Sequence, residues 1–128
     1  MNEWTWVDPA LALAAHREQL SEHGGGDGVR EMGLFESAMA RPQNLALYDE
    51  PDAAALAASY AFGIARNHPF VDGNKRTAAV VSETFLLLNG YELNANDGDL
   101  VVASIALAAG DLSEDALADW FRERVVTV

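Results

Sequence analysis

Five side chains that can move protons or hold phosphate lie within positions 68 to 76 of the sequence. His68 can take a proton from an attacking hydroxyl, and Asp72 can hold a divalent cation against a polyphosphate. The stretch continues with an amide, an amine and a guanidinium, from Asn74, Lys75 and Arg76. This combination is typical of phosphoryl or nucleotidyl transfer, in which catalysis depends mostly on positioning and on stabilisation of charge.

The cations of the chain are concentrated beside this stretch. The sequence has eight lysines and arginines against twenty acidic residues, which gives a net charge of −12. Arg66, Lys75 and Arg76 fall close together, and Lys75 is the only lysine. A chain this acidic has no general reason to gather cations at one turn unless the turn binds an anion. Arg66 is a candidate for holding phosphate, with a structural ion pair as an equal alternative.

The backbone of the stretch predicts a turn between two helices. Pro69 disfavours the α conformation at His68, so a helix that arrives there ends. Gly73 permits a conformation that a side chain would oppose, and Asn74 is a candidate N-cap for the apolar run that follows. A helix that begins there points its free N–H groups into the turn, where they favour an anion such as phosphate.

Two apolar helices must position this turn. The first is predicted over residues 53–67 with Asp52 as its cap, and the second follows the turn to about residue 89, where Gly90 ends it. Both are apolar on most faces, which is typical of helices inside a core. The turn is therefore expected to rest on rigid elements.

The N-terminal part of the chain predicts an arm and one further helix. Residues 1–7, with Trp4 and Trp6, are interpreted as a strand or arm that packs on the core. Asp8 and Pro9 begin a helix that runs to about residue 23, and three glycines end it. His16 and His23 lie on this helix, and we expect them at the surface or partly buried rather than in a metal site.

The region before the central helices is predicted to be mostly irregular. Residues 24–33 form a glycine-rich, flexible connection without the spacing of a phosphate-binding P-loop. Residues 34–40 form a short helix that Pro42 stops, and residues 43–51 form a loop.

The C-terminal part predicts two more helices. Residues 91–96 are a short connection, Asp97 or Asp99 caps a helix that runs to residue 109, and Ser113 caps the last helix. The chain is thus expected to be a single all-α domain, residues 1–128, folded as a compact bundle of about six helices.

Composition excludes several classes of protein. The sequence has no cysteine, which excludes disulfides and zinc–thiolate sites. No apolar run is long enough to span a membrane and no signal peptide opens the chain, so we expect a cytoplasmic protein without a membrane partner. The strongly negative charge disfavours direct binding to nucleic acid, which needs a basic face.

The nine residues His68-x-Phe70-x-Asp72-Gly73-Asn74-Lys75-Arg76 resemble the core motif of the Fic/Doc superfamily. The lysine at position 75 resembles the Doc branch, the death-on-curing toxins, whereas most Fic proteins have glycine there and transfer AMP. Residues 33–44 and 88–93 are also similar to stretches that flank the motif in Doc-like toxins.

The resemblance implies a fold and a set of roles. The fold is the all-α Fic/Doc bundle, with residues 43–51 as a short flap over the active site. His68 is the general base, Asp72 holds Mg²⁺, and Phe70 anchors the turn by packing. The residues expected to contact the phosphates of ATP are Gly73, Asn74, Lys75 and Arg76.

The resemblance also implies an activity and partners. A lysine at position 75 goes with a reversed nucleotide whose γ-phosphate faces the target. The expected protein is therefore a kinase that phosphorylates a hydroxyl of elongation factor Tu and arrests translation and growth. The alternatives are AMP transfer to a protein hydroxyl and a catalytically silent binding module. The chain lacks the inhibitory [ST]-x-x-x-E-[GN] motif, so restraint is expected from an antitoxin whose C-terminal helix enters a groove, as in type II toxin–antitoxin modules.

Overall fold

The computed structural model describes residues 3–128, apart from the side chain of Asp97. The helices and strands of this part form a mostly helical, compact arrangement, which confirms the predicted class of an all-α bundle with about six helices. In chain order they are α1 (Pro9–His23), α2 (Met32–Tyr48), α3 (Ala53–Asn67), α4 (Asn74–Leu88), β1 (Tyr91–Leu93), α5 (Asp97–Ala109), α6 (Glu114–Arg122) and β2 (Val125–Thr127).

Helix α3 is the centre of the bundle. It packs against α2, α4, α5 and α6, while α1 lies on α4. Leu56, Tyr60 and Ile64 of α3 are fully buried, as is Phe85 of α4. The two helices that flank the reactive stretch are therefore the interior of the molecule, as their apolar faces predict.

The N-terminal arm is extended and is pinned on this core. The rings of Trp4 and Trp6 lie 6.0 and 5.9 Å from the ring of Phe85. The backbone N–H of Val7 donates to the hydroxyl of Tyr60 at 3.0 Å. Thr5 exchanges two hydrogen bonds with the side-chain amide of Asn89. The predicted arm on the core is confirmed, and residues 1 and 2 lie outside the described part.

Helix α2 differs from the prediction, because it continues through Pro42 to Tyr48. The predicted stop at Pro42 and the loop at residues 43–51 are both wrong. Phe35, Ala38, Met39 and Pro42 are buried along one face of α2, at the spacing of a helix that packs on its neighbour. This packing offsets the cost of an internal proline, about 3 kcal/mol.

Helices α2 and α3 come unusually close at a glycine. A Cβ atom on Gly63 would lie 3.0 Å from the Cα atom of Ala38 and 3.2 Å from its carbonyl oxygen. That carbonyl is the one that would have accepted the N–H that Pro42 lacks. The two helices thus come closest at the position where α2 lacks a backbone hydrogen bond.

The C-terminal part contains a small antiparallel sheet that the sequence did not predict. Strand β1 pairs with β2, with Tyr91 opposite Thr127 and Leu93 opposite Val125. The interpretation of residues 91–96 as a plain connection is therefore wrong, because pairing with a distant segment decides such short strands. The N–H of Val128 extends the contact by donating to the Gly90 carbonyl at 2.9 Å.

The caps of the last two helices are only partly as predicted. Asn96, rather than Asp97 or Asp99, caps α5, and its side chain accepts the N–H of Asp99 at 2.8 Å. Ser113 caps α6 as predicted, by accepting the N–H of Ala116 at 3.0 Å. In the part of the chain that the structure describes, no helix is long and apolar enough to cross a membrane.

Candidate active site

The turn between α3 and α4 has a strained backbone at its first residue. His68 ends α3 in the left-handed conformation, with φ 54° and ψ 53°. It is the one non-glycine residue of the described chain with a positive φ. The helix ends before Pro69 as predicted, but through this unusual conformation. Such strain costs of order 1–3 kcal/mol and is typical of functional sites.

The start of α4 corrects one prediction. Gly73, with φ 79°, is the N-cap residue, and Asn74 is already the first residue of the helix. The side chain of Asn74 is buried and reaches back across the turn instead. Its Oδ1 atom accepts the N–H of Phe70, and its Nδ2 atom donates to the Phe70 carbonyl, both at 3.0 Å. Asn74 therefore clamps the turn and does not cap the helix.

The side-chain amide of Asn74 also contacts His68. The Nδ2 atom of Asn74 lies 3.1 Å from Nδ1 of His68. The bonds to Phe70 fix the orientation of the amide, and an amide nitrogen only donates. Nδ1 of His68 is therefore the acceptor, and the neutral imidazole carries its proton on Nε2.

A cleft of about 450 Å³ opens at this turn. One side is the end of α1 with the first glycines after it, and the other is a face of α5. It brings together six of the seven predicted site residues. Its lining from the turn and α4 is His68, Asp72, Gly73, Asn74, Lys75 and Arg76. Phe70 is fully buried below the cleft, as expected of a packing anchor.

Arg66 is the predicted site residue that does not line this cleft. Its side chain is exposed, and its guanidinium lies 5.4 Å from the ring centroid of Phe62. The guanidinium of Arg41 lies 4.4 Å from the same ring and is paired with Glu114. Arg66 thus belongs to a cation–aromatic cluster on another face of α3.

The electrostatics of the cleft suit an anion. The first N–H groups of α4 have no acceptor within the helix and carry a partial positive charge. Lys75, half-buried, and Arg76 lie on the same helical turn. A larger cleft of about 850 Å³ lies near Trp4 and Trp6, but acidic residues 3, 49, 50 and 52 line it, so it disfavours phosphate.

Asp72 is suited to hold Mg²⁺ beside a polyphosphate. Its carboxylate is exposed at the cleft, and Oδ1 accepts the N–H of Gly73 at 2.9 Å. A Cβ atom on Gly25 would lie 2.9 Å from Oδ2, so glycine there leaves the carboxylate room. The described residues contain no cluster of three metal-binding side chains. Mg²⁺ commonly takes one carboxylate and completes its shell with phosphate oxygens and water.

The segment that lies along the motif is residues 24–31, not residues 43–51. Val29 and Phe70 form an antiparallel bridge. The N–H of Arg30 donates to the Pro69 carbonyl at 2.7 Å, and the N–H of Val71 donates to the Gly28 carbonyl at 3.1 Å. The placement of the flap and the interpretation of residues 24–33 as a plain connection are therefore both wrong.

Two residues that support the turn are not predicted from the sequence. Arg30 donates from Nε to the His68 carbonyl at 2.9 Å and from Nη2 to the Asn67 carbonyl at 3.2 Å. It satisfies carbonyls that the end of α3 leaves without helical partners. Only the fold brings Arg30 to this helix end, so no local signal identifies it.

His16 is the second of these residues, and the prediction that it is at the surface or partly buried is wrong. It is 3% exposed. Its ring stacks on Phe70, with centroids 3.8 Å apart and an interplanar angle of 9°. His16 follows the buried Ala12 by four residues and so continues the inward face of α1, but this burial is visible only in the structure. His23, in contrast, is exposed at the rim of the cleft.

Comparison with known proteins shows the family of this chain. The model of the Fic/DOC family matches residues 6–86. Over 117 residues the chain is 32% identical to the protein kinase doc of Escherichia phage P1. The aligned part covers 91% of this chain and 92% of that protein. The chain belongs to the Fic/DOC family. The predicted membership is confirmed.

A second relative of this Fic/DOC chain comes from a bacterium. Over 81 residues the chain is 46% identical to the toxin Doc of Mycolicibacterium smegmatis (strain ATCC 700084 / mc(2)155). The aligned part covers 57% of this chain and 58% of that protein. The two relatives are thus similar to this Fic/DOC chain over different extents.

Proposed function

We propose that this Fic/DOC chain is a Doc-type toxin that transfers the γ-phosphate of ATP to a hydroxyl of a protein. The observation that carries the proposal is the position of Lys75. It lies at the N-terminus of α4 in the cleft that also contains His68 and Asp72. The names of the two relatives, a protein kinase and a toxin, support the same function.

His68 is the proposed general base. The target oxygen forms a bond to the γ-phosphorus, the bond to the β–γ bridging oxygen breaks, and ADP leaves. The hydroxyl proton passes to His68. In the arrangement described above, the lone pair of its neutral ring is at Nδ1, where it accepts from Asn74. His68 must therefore release that hydrogen bond as the target enters, since catalytic hydrogen bonds commonly form their final geometry only with substrate.

The cations and the helix end hold the phosphates. Lys75 occupies space that glycine would leave open and adds a charge, which favours the orientation with the γ-phosphate toward the target. Arg76 and the first N–H groups of α4 contribute to the same anion site. Asp72 would hold Mg²⁺ against the phosphates. When bound, Mg²⁺ neutralises charge that develops during the transfer.

The proposed target is elongation factor Tu, on the resemblance to Doc toxins, with arrest of translation and growth as the outcome. The proposed regulator is an antitoxin whose C-terminal helix enters a groove of the toxin. Expression of the wild-type chain alone should stop growth, while expression of the His68→Ala variant should not. Harmless expression of the wild type without an antitoxin would contradict the toxin assignment.

The decisive test combines purified protein, elongation factor Tu, Mg²⁺ and ATP, followed by intact-mass measurement of the target. We expect a gain of one phosphate with the wild type and none with His68→Ala. A gain of one AMP would show that Lys75 does not set the orientation of the nucleotide. No gain with this target, together with no binding of ATP, would favour a silent binding module.

A further inference from the structure

His16 lies outside the motif and contacts the turn between α3 and α4. Its Nε2 atom lies 2.8 Å from the backbone carbonyl of Asp72. Because a carbonyl oxygen only accepts, Nε2 carries a proton and donates. The ring also covers Phe70 and lies against Gly73, where a Cβ atom would be 3.6 Å from Cδ2 of His16. One buried side chain thus lies against Phe70, Asp72 and Gly73 of the turn.

The peptide group between Asp72 and Gly73 is consequently held at both ends. Its carbonyl accepts from His16, and its N–H donates to Oδ1 of the Asp72 carboxylate at 2.9 Å. The orientation of this peptide group therefore sets the direction of the carboxylate. It also sets the left-handed conformation of Gly73, from which α4 begins.

We propose that His16 is a positioning residue of the active site: its Nε2–H fixes the Asp72–Gly73 peptide group and thereby aims the Asp72 carboxylate at the metal–nucleotide. This inference rests on the proposed function. Groups that orient a metal ligand through a hydrogen bond typically change metal affinity or activity by about 10- to 100-fold when they are removed.

A pair of substitutions separates this role from simple packing. His16→Phe keeps an aromatic ring against Phe70 but has no donor for the Asp72 carbonyl. His16→Gln loses the ring but keeps an N–H donor at a similar reach from the backbone. If His16 only fills space, the phenylalanine variant is the better substitute; if it positions Asp72, the glutamine variant is.

The functional measurement is the transfer rate as a function of Mg²⁺ concentration at saturating ATP. We expect His16→Phe to raise the half-saturating Mg²⁺ concentration by roughly tenfold and His16→Gln to restore most of the loss. Thermal unfolding of both variants controls for folding. An unchanged Mg²⁺ dependence in a folded His16→Phe protein would overturn the proposal.

A second measurement does not depend on activity. Nitrogen-15 NMR of the wild-type side chains should show a slowly exchanging proton on Nε2 of His16. Hydrogen exchange of the Gly73 amide should be faster in His16→Phe and close to wild type in His16→Gln. If the wild type transfers nothing, the proposed function fails while this test still stands. Unchanged Gly73 exchange in His16→Phe would refute the positioning role by itself.

Discussion

The two ends of helix α3 are built in different ways. At its start, the side chain of Asp52 caps the helix by accepting the N–H of Ala55 at 2.9 Å. Arg122 of α6 then binds the same carboxylate, with contacts of 2.7 and 3.0 Å. At its end, Arg30 donates to the last carbonyls of the helix instead, those of Asn67 and His68. His68 is held in a strained conformation by Arg30 and Asn74, which come from the preceding loop and from α4.

The start of α3 stabilises the molecule, whereas the end of α3 is strained. A capping carboxylate can remain exposed to solvent, and it stabilises a helix by about 1 kcal/mol. A left-handed histidine costs free energy and persists only because the surroundings determine it. We therefore expect substitutions at the start of α3 to change stability, and substitutions at its end to change activity.

The largest expected effect is at His68. His68→Ala and His68→Gly should both lower the transfer rate by roughly 10²- to 10⁴-fold, the usual contribution of a general base. The glycine variant should be the more stable of the two by about 1 kcal/mol, because glycine adopts φ near 54° without a steric penalty. Rate measurements and urea unfolding of both variants check this. Equal stability of the two variants would mean that the backbone of His68 is not strained.

Lys75 should give the next largest effect. Lys75→Ala removes a half-buried cation from the cleft. The variant should bind ATP about tenfold more weakly, which corresponds to a loss of roughly 1.4 kcal/mol of binding free energy. The unfolding midpoint should change little, since the side chain anchors no other part of the described structure. Calorimetric titration with ATP and Mg²⁺ measures the effect. Lys75→Gly should admit some AMP transfer, and a kinase rate equal to wild type would contradict the orientation argument.

Asp52 provides the opposite case. Asp52→Ala removes both the cap of α3 and the partner of Arg122, so the free energy of unfolding should fall by about 1 kcal/mol. Transfer activity should remain close to that of the wild type, because Asp52 lies at the other end of α3 from the cleft. Thermal unfolding and the mass-based transfer assay test the two halves of this statement. A large loss of activity would break the contrast between the two ends.

The smallest expected effect concerns pH. The hydrogen bond from Arg122 lowers the pKa of Asp52 below its ordinary value of 3.8. The folded state therefore favours the ionised carboxylate, and this contribution is complete above pH 3.8. It is lost as the pH falls further, through the lowered pKa.

Asp52→Asn isolates this charge, since asparagine is also a good cap. Half of the Asp52 side chain is exposed, so the stability difference from wild type should be under about 1 kcal/mol at neutral pH. It should shrink as the pH drops below 3.8. Urea unfolding of both proteins across this range measures the difference. A difference that grows in acid would reverse the proposed sign.

Local chemistry explains which parts of the fold could be predicted. Pro69 and Gly73 act through their own backbones, so the turn and the helices beside it follow from sequence. Pro42 also acts locally, but the buried face of α2 overrides it, and sequence alone does not show that packing. Strand β1 depends on a partner more than thirty residues away along the chain.

The same distinction holds for the candidate site. Motif residues are close in sequence, so their convergence on one cleft is predictable, although their roles stay predictions. His16 of α1 and Arg30 of the glycine-rich loop reach the turn only through the tertiary fold. The sequence predicts Asn74 as a helix cap, because an asparagine at a helix start is usually one, whereas in the structure its side chain bonds to Phe70 and His68.

Both described ends of the chain are fastened at the same place. The N-terminal arm bonds to Asn89 through Thr5, and the last residue, Val128, bonds to Gly90. These anchors lie at the C-terminal end of α4, and the turn with the candidate site lies at its other end, roughly 20 Å away for a helix of this length. A mechanical load applied through the two ends would therefore be borne first at Asn89 and Gly90. Handles, dyes or surface tethers attached near these anchors would leave the mouth of the cleft open.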